Sequence, residues 1–213
     1  MIAIVDYKAG NLTSVARALN HLGFECQITS EIHTIRNADR IVFPGVGSAG
    51  QAMKDLRKMG LDRAIRDFYE SGKPFLGICL GAQIILEVSE ENQTTCLGLI
   101  PGRVKRFPLP LRSPAGETLK VPHMGWNRVF MKRTHPLFHG VHPESEFYFV
   151  HAFFPAPRDA HATIGTTDYG FAFATVIGKQ NLVAVQFHPE KSGPPGLIVL
   201  KNFCCWDGEL HPA

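Results

Sequence analysis

The chain has 213 residues, 45% of them hydrophobic, enough to bury one ordinary core and too many for a disordered chain. Its formal net charge of +3 is scattered, so no basic block offers itself to a nucleic acid or other polyanion. No apolar run reaches the roughly 20 residues of a membrane helix, and five cysteines without CxxC spacing argue for a reduced, cytoplasmic setting over a disulfide framework.

The opening stretch MIAIVDYKAGN has a short apolar run, Asp6 and no basic leader, and is expected to be a first strand rather than a signal peptide. Asn11 stands where it can cap the next helix, LTSVARALNHLG. There Val15, Leu19 and Leu22 share a face, and Gly23 supplies the stop. FECQIT and RIVFPG read as the second and third strands. GVGSAGQAMKDLRKMG follows as a turn and helix, LDRAIRDFYESG as a helix, KPFLGIC as a strand and LGAQIILEVSEE as a helix. This alternation implies a largely parallel sheet with helices on both faces.

The second half is strand-like: VKRFP, NRVFMK, EFYFVHAFF, ATIGTTDYG, FAFATVIG and NLVAVQF, with IGKQN as a hairpin turn. GLIVLKNFCCW closes the pattern as a helix. PLPLRSPAGET, from Pro108 to Thr118, is expected to be the flexible loop. Residues 1–213 together read as a single α/β domain, parallel at its centre, with antiparallel strands added by the C-terminal half.

Gly77, Cys79 and Gly81 form G-x-C-x-G between a predicted strand and a predicted helix. This is the pattern of a nucleophile elbow, in which a sharp turn demands small neighbours two positions away. A helix starting at the sulfur directs free N–H groups and its positive dipole end toward it, which favours thiolate. A buried, inert cysteine is the alternative for this residue taken alone.

A cysteine nucleophile needs a base and a group to orient it. LVAVQFHPEKS delivers His188 and Glu190. Pro189 favours an extended backbone, in which residues two apart share a side. An oxyanion hole could come from the backbone N–H of Val46 in PGVG and that of Leu80. The same segment also spells G-x-G-x-x-G through Gly45, Gly47 and Gly50, so a dinucleotide-binding module is a rival of another class. Against it, the motif is not in the first βα unit, and Asp67 and Glu70 lie inside a helical pattern rather than at a strand end. HPLFHGVH spaces His135, His139 and His142 like metal ligands, but Pro136, Gly140 and Pro143 break any helix that would gather them. A solvated loop without metal is expected. His151, within an aromatic strand, reads as a hydrogen-bonded core or pocket residue.

Taken together, these residues resemble the class I, triad-type glutamine amidotransferases: LGICLGAQ matches the nucleophile motif and QFHPEKS the His-x-Glu motif. DYKAGN, PGVGSAGQAM, SEE, VPHMGWN, FYFVHAFF and FHPEKSGPPGL, in that order along nearly the whole chain, are similar to the glutaminase subunits of imidazole glycerol phosphate synthases. The resemblance implies hydrolysis of glutamine to glutamate and ammonia, without cofactor or metal. The ammonia passes to a (β/α)8-barrel cyclase subunit that makes imidazole glycerol phosphate and an aminoimidazole carboxamide ribotide in histidine biosynthesis. It makes Cys79 the nucleophile, His188 the base and then acid, and Glu190 the group orienting His188. It gives Val46 and Leu80 the oxyanion N–H groups and places Gly47 and Gln83 against substrate. It sets Asn11, Trp126 and Lys191 at the cyclase interface. Lys8 departs from a usual glycine, Ala82 from a methionine, and Ala152 and Phe153 from Ser-Tyr.

A lone glutaminase wastes its ammonia. With only 23 residues after Glu190, the acceptor site is expected on a separate chain, forming a heterodimer. A related glutaminase serving a different ammonia acceptor is the second reading.

Overall fold

The computed structural model describes residues 1–209. β1 (Ile2–Val5) alternates: Ile2 and Ile4 enter the core on one face of the sheet, Ala3 and Val5 on the other. α1 (Leu12–His21) buries Val15 and Leu19, and the chain turns at Gly23 (φ 83) into β2 (Cys26–Thr29). A helix not foreseen, α2 (Ile32–Asn37), buries only Ile35, too little periodicity to register in sequence. β3 (Arg40–Gly45) leads to α3 (Ala49–Met59), capped by Ser48, whose hydroxyl accepts from Gln51 N at 3.4 Å. α4 (Leu61–Glu70) and β4 (Phe75–Cys79) follow, and β4 runs straight into α5 (Leu80–Ile84).

α5 is shorter than the helix expected over LGAQIILEVSEE. The carbonyls of Ile84, Ile85, Leu86 and Glu87 accept from Leu97, Leu99, Gly98 and Cys96 at 2.7–2.9 Å, so tertiary partners take what a continuing helix would use. The chain instead forms β5 (Val88–Ser89) and β6 (Thr94–Thr95). After β7 (Gly102–Arg106), the expected flexible loop holds a small hairpin of β8 (Leu111–Arg112) and β9 (Thr118–Leu119). Then come β10 (His123–Arg128), β11 (Phe130–Met131), β12 (Glu146–His151), β13 (Phe153–Pro157), β14 (Thr163–Asp168), β15 (Ala172–Lys179), β16 (Leu182–Val185) and α6 (Gly193–Cys205).

The main sheet has eight strands in the order β11-β14-β15-β16-β4-β3-β1-β2. The run from β16 to β2 is parallel, and β15, β14 and β11 extend it antiparallel. One face packs α1 and α6 through Val15, Leu19, Val199 and Phe203; the other packs α3 and α4 through Leu56, Leu61 and Phe68. The expected α/β architecture is therefore observed. β10 pairs with β12 as a separate ribbon near the C-terminal ends of the parallel strands. Among the described residues no helix is long and apolar enough to cross a membrane.

The HPLFHGVH segment is less solvated than expected. His135 is buried edge-on against Trp206, and its Nδ1 accepts from Leu137 N at 3.2 Å, closing a short 3-10 turn.

Candidate active site

Cys79 ends β4 at φ 54, ψ −107, a conformation sparsely populated by L-residues. The flanking glycines make the turn possible. A Cβ on Gly77 would lie 2.9 Å from Ala184 Cβ, and one on Gly81 would run into the Phe43 carbonyl oxygen. The elbow read from the sequence is present. Its helix has only five residues, however, so the dipole expected behind the sulfur is small.

Parallel register gathers the other groups. Gly45 lies opposite Cys79 on β3, so Val46 and Gly47 rise beside the sulfur. Val185 lies opposite Ile78 on β16, so Gln186 and His188 follow at the same strand end. A cavity of about 310 Å³ is lined by Val46, Gly47, Cys79, Leu80, Gln83, Glu91, His151 and His188, among others. This is where open α/β sheets place ligands.

His188 is 1% exposed. Its Nδ1 donates to Glu190 Oε1 at 2.8 Å, and its backbone N donates to the Tyr148 carbonyl at 2.9 Å. The expected pairing of His188 with Glu190 is found, by a different local route. His188 is extended, but Pro189–Lys191 forms a 3-10 turn from which Glu190 reaches back. Among the described residues, His188 Nε2 is buried without a hydrogen-bond partner, as are Glu190 Oε2 and Tyr7 Oη. Burial pushes the His188 imidazole down, but nearby Cys79 and the bonded Glu190 outweigh it, and the net shift is upward.

Asn11 is not the helix cap it resembles. It occupies the N-cap position at φ 73, but its side chain makes no capping bond. Its Nδ2 donates to Glu190 Oε1 at 2.5 Å and lies 3.4 Å from His188 Nδ1. The charge-assisted bond from Nδ2 to Glu190 fixes the side chain so that its oxygen caps none of the helix N–H groups. Lys8, the departure from glycine, also takes the left-handed region (φ 70), and its N–H donates to Asp6 at 2.8 Å. Trp126 stands apart from the pocket on β10, 53% exposed and edge-on to Tyr148. Lys191 is exposed just past Glu190.

Four features escaped the sequence reading. Gln186 is fully buried, and its Nε2 lies 3.8 Å from Cys79 Sγ; its position two residues before His188 on one strand end was the available signal. Glu91 contributes a carboxylate to the cavity while accepting from Ala49 N at 2.6 Å. Tyr7 packs on Phe43, its hydroxyl filling the space a side chain on Gly45 would need. Burial, and then Cys79, push its phenol up. Gly45 thus has a packing reason that owes nothing to a dinucleotide. Last, the Phe153 carbonyl accepts from both Gln83 Nε2 (2.9 Å) and His151 Nδ1 (2.8 Å), so the Ala152–Phe153 departures leave a backbone anchor intact.

The family model described as glutamine amidotransferase class-I matches residues 3–205. Over 213 residues the chain is 51% identical to the imidazole glycerol phosphate synthase subunit HisH of Nitratidesulfovibrio vulgaris (strain DSM 19637 / Miyazaki F), covering 100% of both chains. It is 46% identical over 212 residues to the subunit of the same name from Chromobacterium violaceum, covering 98% of this chain and 99% of that one. A crystal structure of a glutamine amidotransferase superposes with a TM-score of 0.71 at 18% identity, over 96% of this chain and 100% of that one, a likeness of fold.

Proposed function

We propose, from the premise that the chain belongs to the class-I glutamine amidotransferases, that it is the glutaminase subunit of an imidazole glycerol phosphate synthase. The observation that carries this reading is a strained Cys79 sharing one cavity with the unpartnered Nε2 of a Glu190-bound His188.

The residues take the following roles. The Cys79 thiolate attacks the γ-carboxamide carbon of glutamine, and the N–H groups of Val46 and Leu80 receive the charge that develops on oxygen. The tetrahedral adduct collapses as the C–N bond breaks. Protonated His188 gives its Nε2 proton to the departing nitrogen, leaving a γ-glutamyl thioester and ammonia. His188, now neutral, takes a proton from water as that water attacks the thioester, and glutamate leaves with the thiolate restored. Glu190 keeps Nδ1–H occupied, so that Nε2 is the nitrogen that exchanges protons. Gly47 and Gln83 contact the substrate, and Glu91 offers a carboxylate suited to its α-ammonium.

The ammonia is delivered to a (β/α)8-barrel cyclase. Met124 and Trp126 project from one side of β10, 63% and 53% exposed, as an apolar docking face beside Tyr148. Asn11, behind Glu190, and Lys191 flank the passage toward that partner. Labelling with a glutamine-mimicking electrophile tests the chemistry. One equivalent on Cys79, blocked by glutamine, is expected; labelling elsewhere, or none in the folded complex, contradicts it.

A further inference from the structure

We propose that Gln186 is a further catalytic residue: its side-chain amide donates a hydrogen bond to the Cys79 sulfur and holds it as a thiolate. The inference rests on the reading of Cys79 as the nucleophile.

Gln186 is 0% exposed and lies among apolar strand residues, where an amide needs partners. Its backbone N donates to Thr175 O at 2.8 Å. Its side chain is oriented by a chain of bonds with one consistent direction. The Phe153 carbonyl can only accept, so Gln83 turns Nε2 toward it, at 2.9 Å. The second N–H of that nitrogen meets Gln186 Oε1 at 3.0 Å. With its oxygen committed to Gln83, Gln186 presents its NH2 group to Cys79 Sγ at 3.8 Å. The Phe153 carbonyl is itself held from the far side by His151 Nδ1 at 2.8 Å. His151 Nε2 in turn meets His123 Nδ1 at 3.0 Å. Each donor in the series faces an acceptor, and the amide nitrogen at its end faces the sulfur.

A thiol accepts a hydrogen bond weakly, whereas a thiolate accepts a charge-assisted one, roughly twice as strong as a neutral bond. The amide therefore favours the charged sulfur and fixes its direction within the strained elbow. It supplies a donor where the five-residue α5 contributes little dipole. When the thiolate attacks, its negative charge passes to the substrate oxygen and the amide–sulfur bond weakens. When the C–S bond of the thioester breaks, the charge returns to sulfur and the bond re-forms. No proton is transferred to or from Gln186.

The test is the rate at which iodoacetamide alkylates Cys79 as a function of pH, read on the Cys79 peptide so that other cysteines do not contribute. It compares the full wild-type chain with Gln186→Met, of similar length without a donor, and with Gln186→Glu. The half-maximal pH is expected to rise by about one to two units in Gln186→Met, and at least as far in Gln186→Glu, where a carboxylate repels the thiolate. Glutaminase kcat falls while KM for glutamine stays. An unmoved midpoint in either folded variant overturns the proposal. Should neither variant fold, the Gln186 side-chain N–H signals of the wild-type protein carry the test. They are expected to titrate with the Cys79 alkylation midpoint, and signals that do not move overturn the proposal. Alkylation needs no glutamine, so a failure of Gln186 is distinguishable from a failure of the glutaminase reading, which would appear as a wild-type chain that makes no glutamate.

Discussion

Asn11 Nδ2 donates to Glu190 Oε1 at 2.5 Å, so the residue opening the first helix is bonded to the carboxylate that holds His188. Asn11→Gly keeps the left-handed backbone without strain and deletes the amide. Glutaminase kcat is expected to fall at least about tenfold, the equivalent of one charge-assisted hydrogen bond of roughly 1.5–3 kcal/mol in the transition state. The melting temperature should hardly move, because no helix cap is lost. A melt lowered like a cap deletion, with kcat unchanged, would show that Asn11 serves the helix.

His188 is raised by Cys79 and Glu190 against the downward pull of burial. Removing Cys79 removes part of what raises it, so Cys79→Ala is expected to lower the His188 titration. Nitrogen NMR of the ring checks this. At neutral pH the wild-type signals should be those of an imidazolium, and those of Cys79→Ala should shift toward the neutral ring. Identical spectra would contradict the ion pair.

His151 and His123 are pushed down by burial to about 3 and about 4, and are held neutral as a hydrogen-bonded pair. Unfolded, each binds its proton near pH 6.5, so the unfolded chain takes up more protons below that pH. The stability due to the pair is complete above about pH 6.5 and is lost as pH falls toward 4 and then 3. The slope is at most about 1.4 kcal/mol per pH unit for each histidine. Urea denaturation between pH 6.5 and 5 should show it, and His123→Phe should remove one histidine's share. An unchanged slope in that variant would contradict a neutral buried His123.

Trp126 is half exposed and touches Tyr148 edge-on, so its removal opens no core cavity. Trp126→Ala is expected to weaken cyclase binding about 30-fold or more, an anchor worth roughly 2 kcal/mol. The isolated chain should melt as before. Titration calorimetry and a thermal melt separate the two effects, and unchanged affinity with the fold intact would place the interface elsewhere.

What could be read from the sequence was what is local. Gly77-x-Cys79-x-Gly81 contains both the strain and its remedy within five positions, and His188 and Glu190 lie two apart. The alternation of β1 and the stripe of α1 likewise place their own side chains. What escaped depends on contacts distant in sequence. Asn11 satisfies the local rule for a cap and loses its side chain to a carboxylate 179 positions away. LGAQIILEVSEE has helical periodicity, yet its carbonyls are taken by Cys96 to Leu99. Gln186 is one more polar residue in a strand until Gln83, from another element, turns its amide toward Cys79.

The most direct test is glutamate release from glutamine by this chain mixed with a barrel cyclase and its nucleotide ligand, with Cys79→Ala as control. Strong stimulation by the loaded cyclase, abolished in the variant, is the expected result. No stimulation, with the chain folded and the cyclase active on free ammonia, would contradict the account and point to a different ammonia acceptor.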